Sequence, residues 1–166
     1  MISSFNELHQ MVKDSQPKRV ALVAAEDPVL IEAAKRAQEE GLARFILFGN
    51  SRKIESLNPP DASSFEIVDS QNPAIDAINY IHADKADLLM KGKIQTGDLL
   101  RAILNRDTGL RQGELLNHIA VIESPHYHKL LFISDGGINL HLDENVYQQM
   151  VVNITQYLKL LGIESP

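Results

Sequence analysis

The segment "RVALVAAEDPVLIEAAKRAQEEGLARFILFG" (residues 19–49) decides the fold. It contains two nearly continuous apolar runs, at residues 19–25 and 43–49, and such runs are typical of strands buried on both faces. Between them the apolar residues recur at helical spacing, after an Asp27-Pro28 start signal and before a stop at Gly41. A strand, a helix and a strand in this order predict a parallel pair joined by a helical crossover.

The same alternation of strands and helices continues along the chain. We predict an amphipathic helix in residues 1–15, then a short helix (51–57), a loop (59–64), a strand (65–70), a helix (73–83), a strand (86–92), a helix (96–105) and two strands (118–124 and 129–135). Asp143 then caps a last helix that runs to residue 161. The last two strands follow each other directly, so they form either an antiparallel pair or the start of a second sheet. This order predicts an α/β fold with three layers, a mostly parallel sheet with helices on both faces.

Composition limits the classes of function. Hydrophobic residues make up 44% and charged residues 23% of the 166 residues, as in ordinary globular domains. The net charge of −6 argues against a nucleic-acid partner, so a phosphate-bearing ligand needs a local basic site. The absence of cysteine excludes a disulfide framework and a cysteine nucleophile. The N-terminus lacks the features of a signal peptide and no apolar run is long enough to span a bilayer, so we expect a cytoplasmic protein with no membrane partner.

The turn "MKGKIQTGD" (residues 90–98) is the richest candidate site. In open α/β sheets, ligands bind beyond the carboxyl ends of the strands, where this turn lies. Lys91 and Lys93 supply positive charge, and Gly92 lets the backbone approach a ligand. The turn is not a Walker loop, because no GxxxxGK[ST] pattern is present.

The helix after this turn adds two candidate groups. Thr96 can cap the helix and donate a hydroxyl, and in a binding site the free amides of the first helical turn would face an anion. Arg101 lies five residues further on and could reach back toward a phosphate as a planar, permanently charged group. An ordinary capped helix with solvated lysines explains the same residues equally well, so the pattern alone leaves both interpretations open.

A second candidate turn is "SDGGIN" (residues 134–139), in which Ser134 and Asp135 end a strand. The hydroxyl and main-chain amides could line a cleft, although Asp-Gly more commonly marks a tight turn with an Asx cap. Arg111, in a loop flanked by glycines, is either a solvated charge or a second anion contact. His126 and His128 have a spacing that a metal could use, but no third ligand is evident, and we expect no metal site.

Two longer segments, "ADLLMKGKIQTGDLLRAILNRDTGLRQGELLNHIAVIES" (residues 86–124) and "KLLFISDGGINLHLD" (residues 129–143), resemble the phosphate acetyltransferase/phosphate butyryltransferase family. The butyryl branch, which includes the branched-chain phosphotransacylases, is the more similar. The family pattern consists of a hydrophobic strand, Met-(Lys/Ala)-Gly, a Thr-x-Asp helix start, Leu-Arg, Gly-Leu-Arg, a strand beginning with (Ser/Asn)-His, and a strand ending in (Thr/Ser)-Asp before a small pair and Asn. These parts occur here in the same order.

The resemblance implies phosphotransacylation, in which acyl-CoA and phosphate interconvert with acyl phosphate and CoA, without a further cofactor. It also implies two α/β domains of the isocitrate/isopropylmalate dehydrogenase type, an active site in the cleft between them, and a homodimer or larger homo-oligomer. Arg101 would clamp the phosphate. The other residues predicted to bind substrate are Lys91, Gly92, Thr96, Arg111, Ser134 and Asp135.

We predict a first α/β domain over residues 1–125 and the incomplete start of a second over residues 126–166. Family members are much longer, and their later half carries a Ser-Arg pair and an aspartate associated with catalysis. The resemblance therefore implies that this chain alone holds part of a site, and its catalytic residues are unknown. The alternatives are a noncatalytic ligand-binding or assembly domain that retains the fold, and a dehydrogenase relative, which the missing GxGxxG turn disfavours.

Overall fold

The computed structural model describes residues 2–57, 65–113 and 115–163, in which helices and strands alternate in the predicted order. The helices are α1 (Phe5–Lys13), α2 (Pro28–Glu39), α3 (Ser51–Leu57), α4 (Pro73–His82), α5 (Thr96–Ile103) and α6 (Glu144–Leu160). The strands are β1 (Lys18–Val23), β2 (Ala43–Gly49), β3 (Glu66–Asp69), β4 (Leu88–Lys91), β5 (Ala120–Ile122) and β6 (Leu131–Ile133). The predicted loop at residues 59–64 lies outside the described residues.

The first four strands form one parallel sheet in the order β3-β2-β1-β4. The central strand β1 pairs with β2 on one side and β4 on the other, so Val20 lies opposite both Phe45 and Leu88. Because the strands are parallel, all four carboxyl ends lie at one edge of the sheet. The four turns that follow these strands are therefore gathered at that edge.

Alternate side chains of each strand point to opposite faces of this sheet. On one face, Leu22 and Leu47 pack with Ile31 of α2 and Ile54 of α3. The opposite core is made by alternating strand residues together with residues of α4 and α5, namely Ala21, Val23, Ile46, Phe48, Ala74, Ala77 and Leu99. Helices therefore cover both faces, and the predicted three-layer α/β arrangement is confirmed.

The last two strands form an antiparallel pair, in which Val121 lies opposite Phe132. Both arrangements left open by the sequence are present, because this antiparallel pair is a two-stranded sheet separate from the first. The ring of Phe132 contacts that of Tyr157 on α6, with centroids 6.3 Å apart. The backbone amide of Phe5, at the start of α1, donates to the Glu123 carboxylate. These contacts join α1, β5, β6 and α6.

The chain is divided into two compact units. The unit Val12–Arg111, here called the sheet unit, holds the parallel sheet and its helices α2 to α5. The remaining residues form the second unit, here called the hairpin unit, with β5, β6, α6 and most of α1. The predicted domain boundary between residues 125 and 126 stays a prediction, since compact units need not coincide with the domains of a longer relative. Within the described residues, no helix is both long and apolar enough to cross a membrane.

Candidate functional site

The turn after β4 has a geometry that only glycine permits at position 92. The Gly92 amide donates to the Val23 carbonyl, and the Lys93 amide donates to the Ala24 carbonyl, both at 2.8 Å. A Cβ atom on Gly92 would lie 2.3 Å from the Val23 oxygen and 2.5 Å from the Ala24 oxygen. Glycine is therefore needed here because the turn passes close to the backbone at the end of β1. A contact between Gly92 and substrate stays a prediction.

Lys91 and Lys93 present two positive charges at this edge of the sheet. Both side chains are exposed. The Lys91 ammonium lies 3.5 Å from the Gly92 carbonyl, at the outer limit of a hydrogen bond. In the part of the chain that the structure describes, neither lysine forms an ion pair. Their charges are thus available to an anion from solution.

The start of α5 differs from the prediction. The capping position is Gln95, whose backbone is extended and whose side chain makes no capping hydrogen bond. Thr96 is the first helical residue, so its predicted role as the cap is wrong. A side chain caps best from the extended residue that precedes the helix, because from there its oxygen can reach the first-turn amides. The Thr96 side chain is exposed, and its hydroxyl stays a candidate donor to a ligand.

Arg101 lies on α5 and is held by one acidic neighbour. Its Nη1 atom donates to Asp98 Oδ1 at 2.7 Å, across three residues of the same helix. The side chains of Arg101 and Asp98 are 78% and 56% exposed. Exposed ion pairs of this kind contribute at most about 1 kcal/mol, so an anionic ligand can replace Asp98 as a partner at low cost.

A cavity of about 430 Å³ lies between α4 and α5, within the sheet unit, and Arg101 forms part of its wall. Its polar lining includes Asn72, Asp98, Asn105 and Thr108. The apolar lining comes from both helices and the turn before α5, and consists of Pro73, Ala74, Ile75, Ile78, Ile94 and Ala102. Arg101 is the one residue of the predicted set that lines this cavity.

Arg111 is exposed at the end of the sheet unit, in the loop that follows α5. His82 of α4 steadies the start of this loop, because its Nε2 atom lies 3.1 Å from the Gly109 carbonyl and 3.3 Å from that of Thr108. The predicted anion contact of Arg111 stays a prediction.

Ser134 and Asp135 belong to the hairpin unit and take part in a polar network there. The Asn117 side-chain amide donates to the Ser134 hydroxyl at 2.7 Å, and the Asn153 amide donates to the Asn117 oxygen at 2.6 Å. The Asp135 carboxylate accepts from the His118 backbone at 2.9 Å. The segment before β5, the end of β6 and α6 are therefore tied together by side chains.

The Asp135 carboxylate is well satisfied within the chain. It accepts two further bonds at 2.8 Å, from the backbone and the side-chain amide of Asn139. Burial raises the pKa of Asp135, but the hydrogen bonds from His118, Asn139 and Ile138 outweigh it and lower the pKa from the ordinary aspartate value. The Asp135 carboxylate thus binds the backbone of the turn that follows it, and a contact between Asp135 and substrate stays a prediction.

His126 and His128 lie in the turn between β5 and β6, and both are exposed. The His128 ring packs against Tyr127, with centroids 4.8 Å apart. Across residues 2–57, 65–113 and 115–163, no three His, Cys, Asp or Glu side chains are grouped so that they could hold a metal ion.

Comparison with known proteins shows which family and which relatives this chain resembles. Residues 3–76 match the family described as phosphate acetyl/butaryl transferase. A phosphate butyryltransferase of Clostridium acetobutylicum is 36% identical over 172 aligned positions, which cover 100% of this chain and 57% of that protein. The chain therefore spans little more than half the length of this relative, and the predicted resemblance to the family is confirmed.

Solved structures agree on the fold. A branched-chain phosphotransacylase from Enterococcus faecalis V583 superposes with a TM-score of 0.71 at 23% identity, over 87% of this chain and 52% of its own. A phosphotransacetylase from Streptococcus pyogenes superposes with a TM-score of 0.80 at 15% identity, over 96% of this chain and 60% of its own. At these identities the similarity establishes a shared α/β fold.

Proposed function

We propose, from the kinship of this chain with phosphate butyryltransferases and phosphate acetyltransferases, that it takes part in phosphotransacylation. The reaction interconverts acyl-CoA and phosphate with acyl phosphate and CoA. The proposed acyl group is butyryl or another short or branched chain, in keeping with the similarity to a phosphate butyryltransferase.

The observation that carries this proposal is a set of three exposed cations, two of them at the carboxyl edge of the sheet and the third on α5. Lys91 and Lys93 are exposed, and Arg101 pairs with an exposed carboxylate on its own helix. All three lie in the segment whose residue pattern resembles the family. Phosphate and acyl phosphate are anions, and a chain with a net charge of −6 needs local positive charges to bind them.

The proposed chemistry requires a thiolate, because the thiol of CoA is a weak nucleophile. A base takes the thiol proton, and the sulfur then attacks the acyl carbon of the acyl phosphate. The carbon–oxygen bond to phosphate breaks, and phosphate leaves with the bonding electron pair. Arg101 binds the phosphate through its planar guanidinium, and the lysines stabilise the charge that grows on the leaving oxygen. In the reverse direction the same cations hold phosphate as the nucleophile.

The proposal extends to cofactors, partners and location. The substrates are acyl-CoA and phosphate, no further cofactor is required, and the protein works as a homodimer or larger homo-oligomer in the cytoplasm. The family resemblance supports these features. The relatives are named for transferase activity, and they give no support to a noncatalytic binding or assembly domain.

The proposal is tested by replacing Arg101 with alanine and measuring release of the CoA thiol from butyryl-CoA at varied phosphate concentration. Loss of a charge-assisted contact, worth about 1.5–3 kcal/mol, should raise the KM for phosphate roughly 10- to 150-fold. Arg36→Ala is the matched control, because Arg36 is an exposed arginine in the last turn of α2. A phosphate KM that stays the same in Arg101→Ala and Arg36→Ala would remove Arg101 from the site.

A further inference from the structure

The cavity between α4 and α5 is lined by both polar and apolar side chains. Arg101 and Asp98 belong to its polar lining. The apolar lining includes two isoleucines of α4, of which Ile78 is 2% exposed and Ile75 is 51% exposed. An isoleucine left half-exposed beside a buried one makes an apolar surface that a ligand can cover. The volume of about 430 Å³ is within the range of roughly 300–1,000 Å³ that is usual for small-molecule sites.

The covalent structure of an acyl phosphate restricts where its acyl chain can lie. Only two bonds separate the phosphorus from the carbonyl carbon, so the chain begins beside whichever group holds the phosphate. Arg101 is the proposed phosphate-binding residue and also a wall of this cavity. The apolar surface next to Arg101 is therefore the nearest place for the chain to be buried.

We infer that this cavity receives the acyl chain of the substrate, with Ile75, Ile78, Ile94 and Ala102 as the surface that recognises its length. The inference rests on the proposed function and adds to it the residues that choose between acyl groups. Ala102 lines the cavity from α5 with a small side chain, and the volume of about 430 Å³ is larger than an acetyl group needs. The ligand is thus a short aliphatic acyl group of the butyryl class.

Because Ala102 lines the cavity, replacing Ala102 tests directly whether the acyl chain binds there. Ala102→Leu adds three carbon atoms to the cavity side of α5, so it should exclude a butyryl chain more strongly than an acetyl group. We expect the ratio of kcat/KM for butyryl-CoA to that for acetyl-CoA to fall about tenfold or more, since one methylene in an apolar pocket changes discrimination by about 10- to 200-fold. Ala33→Leu is the control, because Ala33 is an exposed alanine on α2, on the opposite face of the sheet.

A second variant covers the case in which Ala102→Leu does not fold. Ile75→Ala removes an apolar contact at a half-exposed position, and we expect it to lower the same ratio because butyryl loses more buried surface than acetyl does. All variants are made in the full-length protein and assayed for CoA release with phosphate.

Three results are distinguishable. A lowered ratio in Ala102→Leu or Ile75→Ala, with the ratio of Ala33→Leu unchanged, supports the acyl cavity. Phosphate-dependent CoA release whose ratio is the same in all variants overturns the cavity assignment and leaves the proposed function standing. A wild-type protein that releases no CoA from either thioester in the presence of phosphate overturns both.

Discussion

Gly92 is the residue on which the shape of the candidate turn depends. It lies where the end of β4 runs against the end of β1, and two backbone carbonyls occupy the space that a Cβ atom would need. Lys91 and Lys93 take their positions from this crowded crossing. Gly97, five residues along at the start of α5, has nothing within 4 Å of its missing side chain. The two glycines of one short segment therefore have different roles.

This difference predicts opposite effects on stability. Gly92→Ala should lower the free energy of unfolding by about 1–3 kcal/mol, because rigid backbone has to move to admit the methyl group. Gly97→Ala, the matched control, should be neutral or raise the free energy of unfolding by up to about 1 kcal/mol, because alanine favours the helix. Urea unfolding followed by circular dichroism measures both. Equal effects of the two substitutions would contradict the account of Gly92.

At the residue scale, helix caps and pairs within one helix could be predicted from the sequence, and hydrogen bonds between residues far apart in the sequence could not. Asp27 and Asp143 cap α2 and α6 as their positions before each helix indicated. The Asp98–Arg101 pair could have been found from its spacing of three residues on a helix. The bond between Asn117 and Asn153 joins residues far apart in sequence, and no spacing rule points to it.

At the scale of elements, an arginine and two aspartates tie the start of β1 to the segment that leads into β4. Asp87 accepts from the backbone amide of Arg19 at 2.8 Å and from the guanidinium at 2.8 and 3.0 Å. Asp84 accepts from the same guanidinium at 3.1 Å. These hydrogen bonds lower the pKa of Asp87 well below its usual range and raise the pKa of Arg19.

This network predicts a stability that depends on pH. The pKa of Asp87 is lower in the folded than in the unfolded chain, so its contribution is complete above about pH 4 and is lost as the pH falls below that value. Asp87→Asn should therefore lower the melting temperature at pH 7 and have progressively less effect toward pH 2. Melting curves at several pH values check this, with the exposed Asp107→Asn as the control. A decrease in melting temperature for Asp87→Asn that is independent of pH would argue against an ionic role.

Helices and strands were the most predictable part of the molecule, because each of them carries its own periodicity. The bounds of β2 and α3 agree with the sequence residue for residue, and Gly41 follows α2 with a φ of +76° as expected of a stop. The shorter elements β5 and β6 have only three residues each, inside longer apolar runs. Apolar runs alone do not define where pairing ends, since that depends on the partner strand.

At the scale of the whole molecule, repeated β–α alternation was enough to predict the parallel sheet with helices on both faces. It was not enough to predict the order of strands in the sheet, which brings β4 beside β1 and so places Lys91 and Gly92 next to the end of β1. Nor did it predict the cavity that Arg101 shares with α4, because a cavity depends on how two helices pack. Periodicity gives no function, and the proposed function comes from the family resemblance.

The most direct test of the central claim is ³¹P NMR of the full-length protein incubated with butyryl-CoA and inorganic phosphate. We predict that a resonance of butyryl phosphate appears, that its growth matches the release of free CoA thiol in equal amounts, and that it requires both substrates. The absence of any acyl phosphate resonance with butyryl-CoA, acetyl-CoA and a branched acyl-CoA would contradict the account.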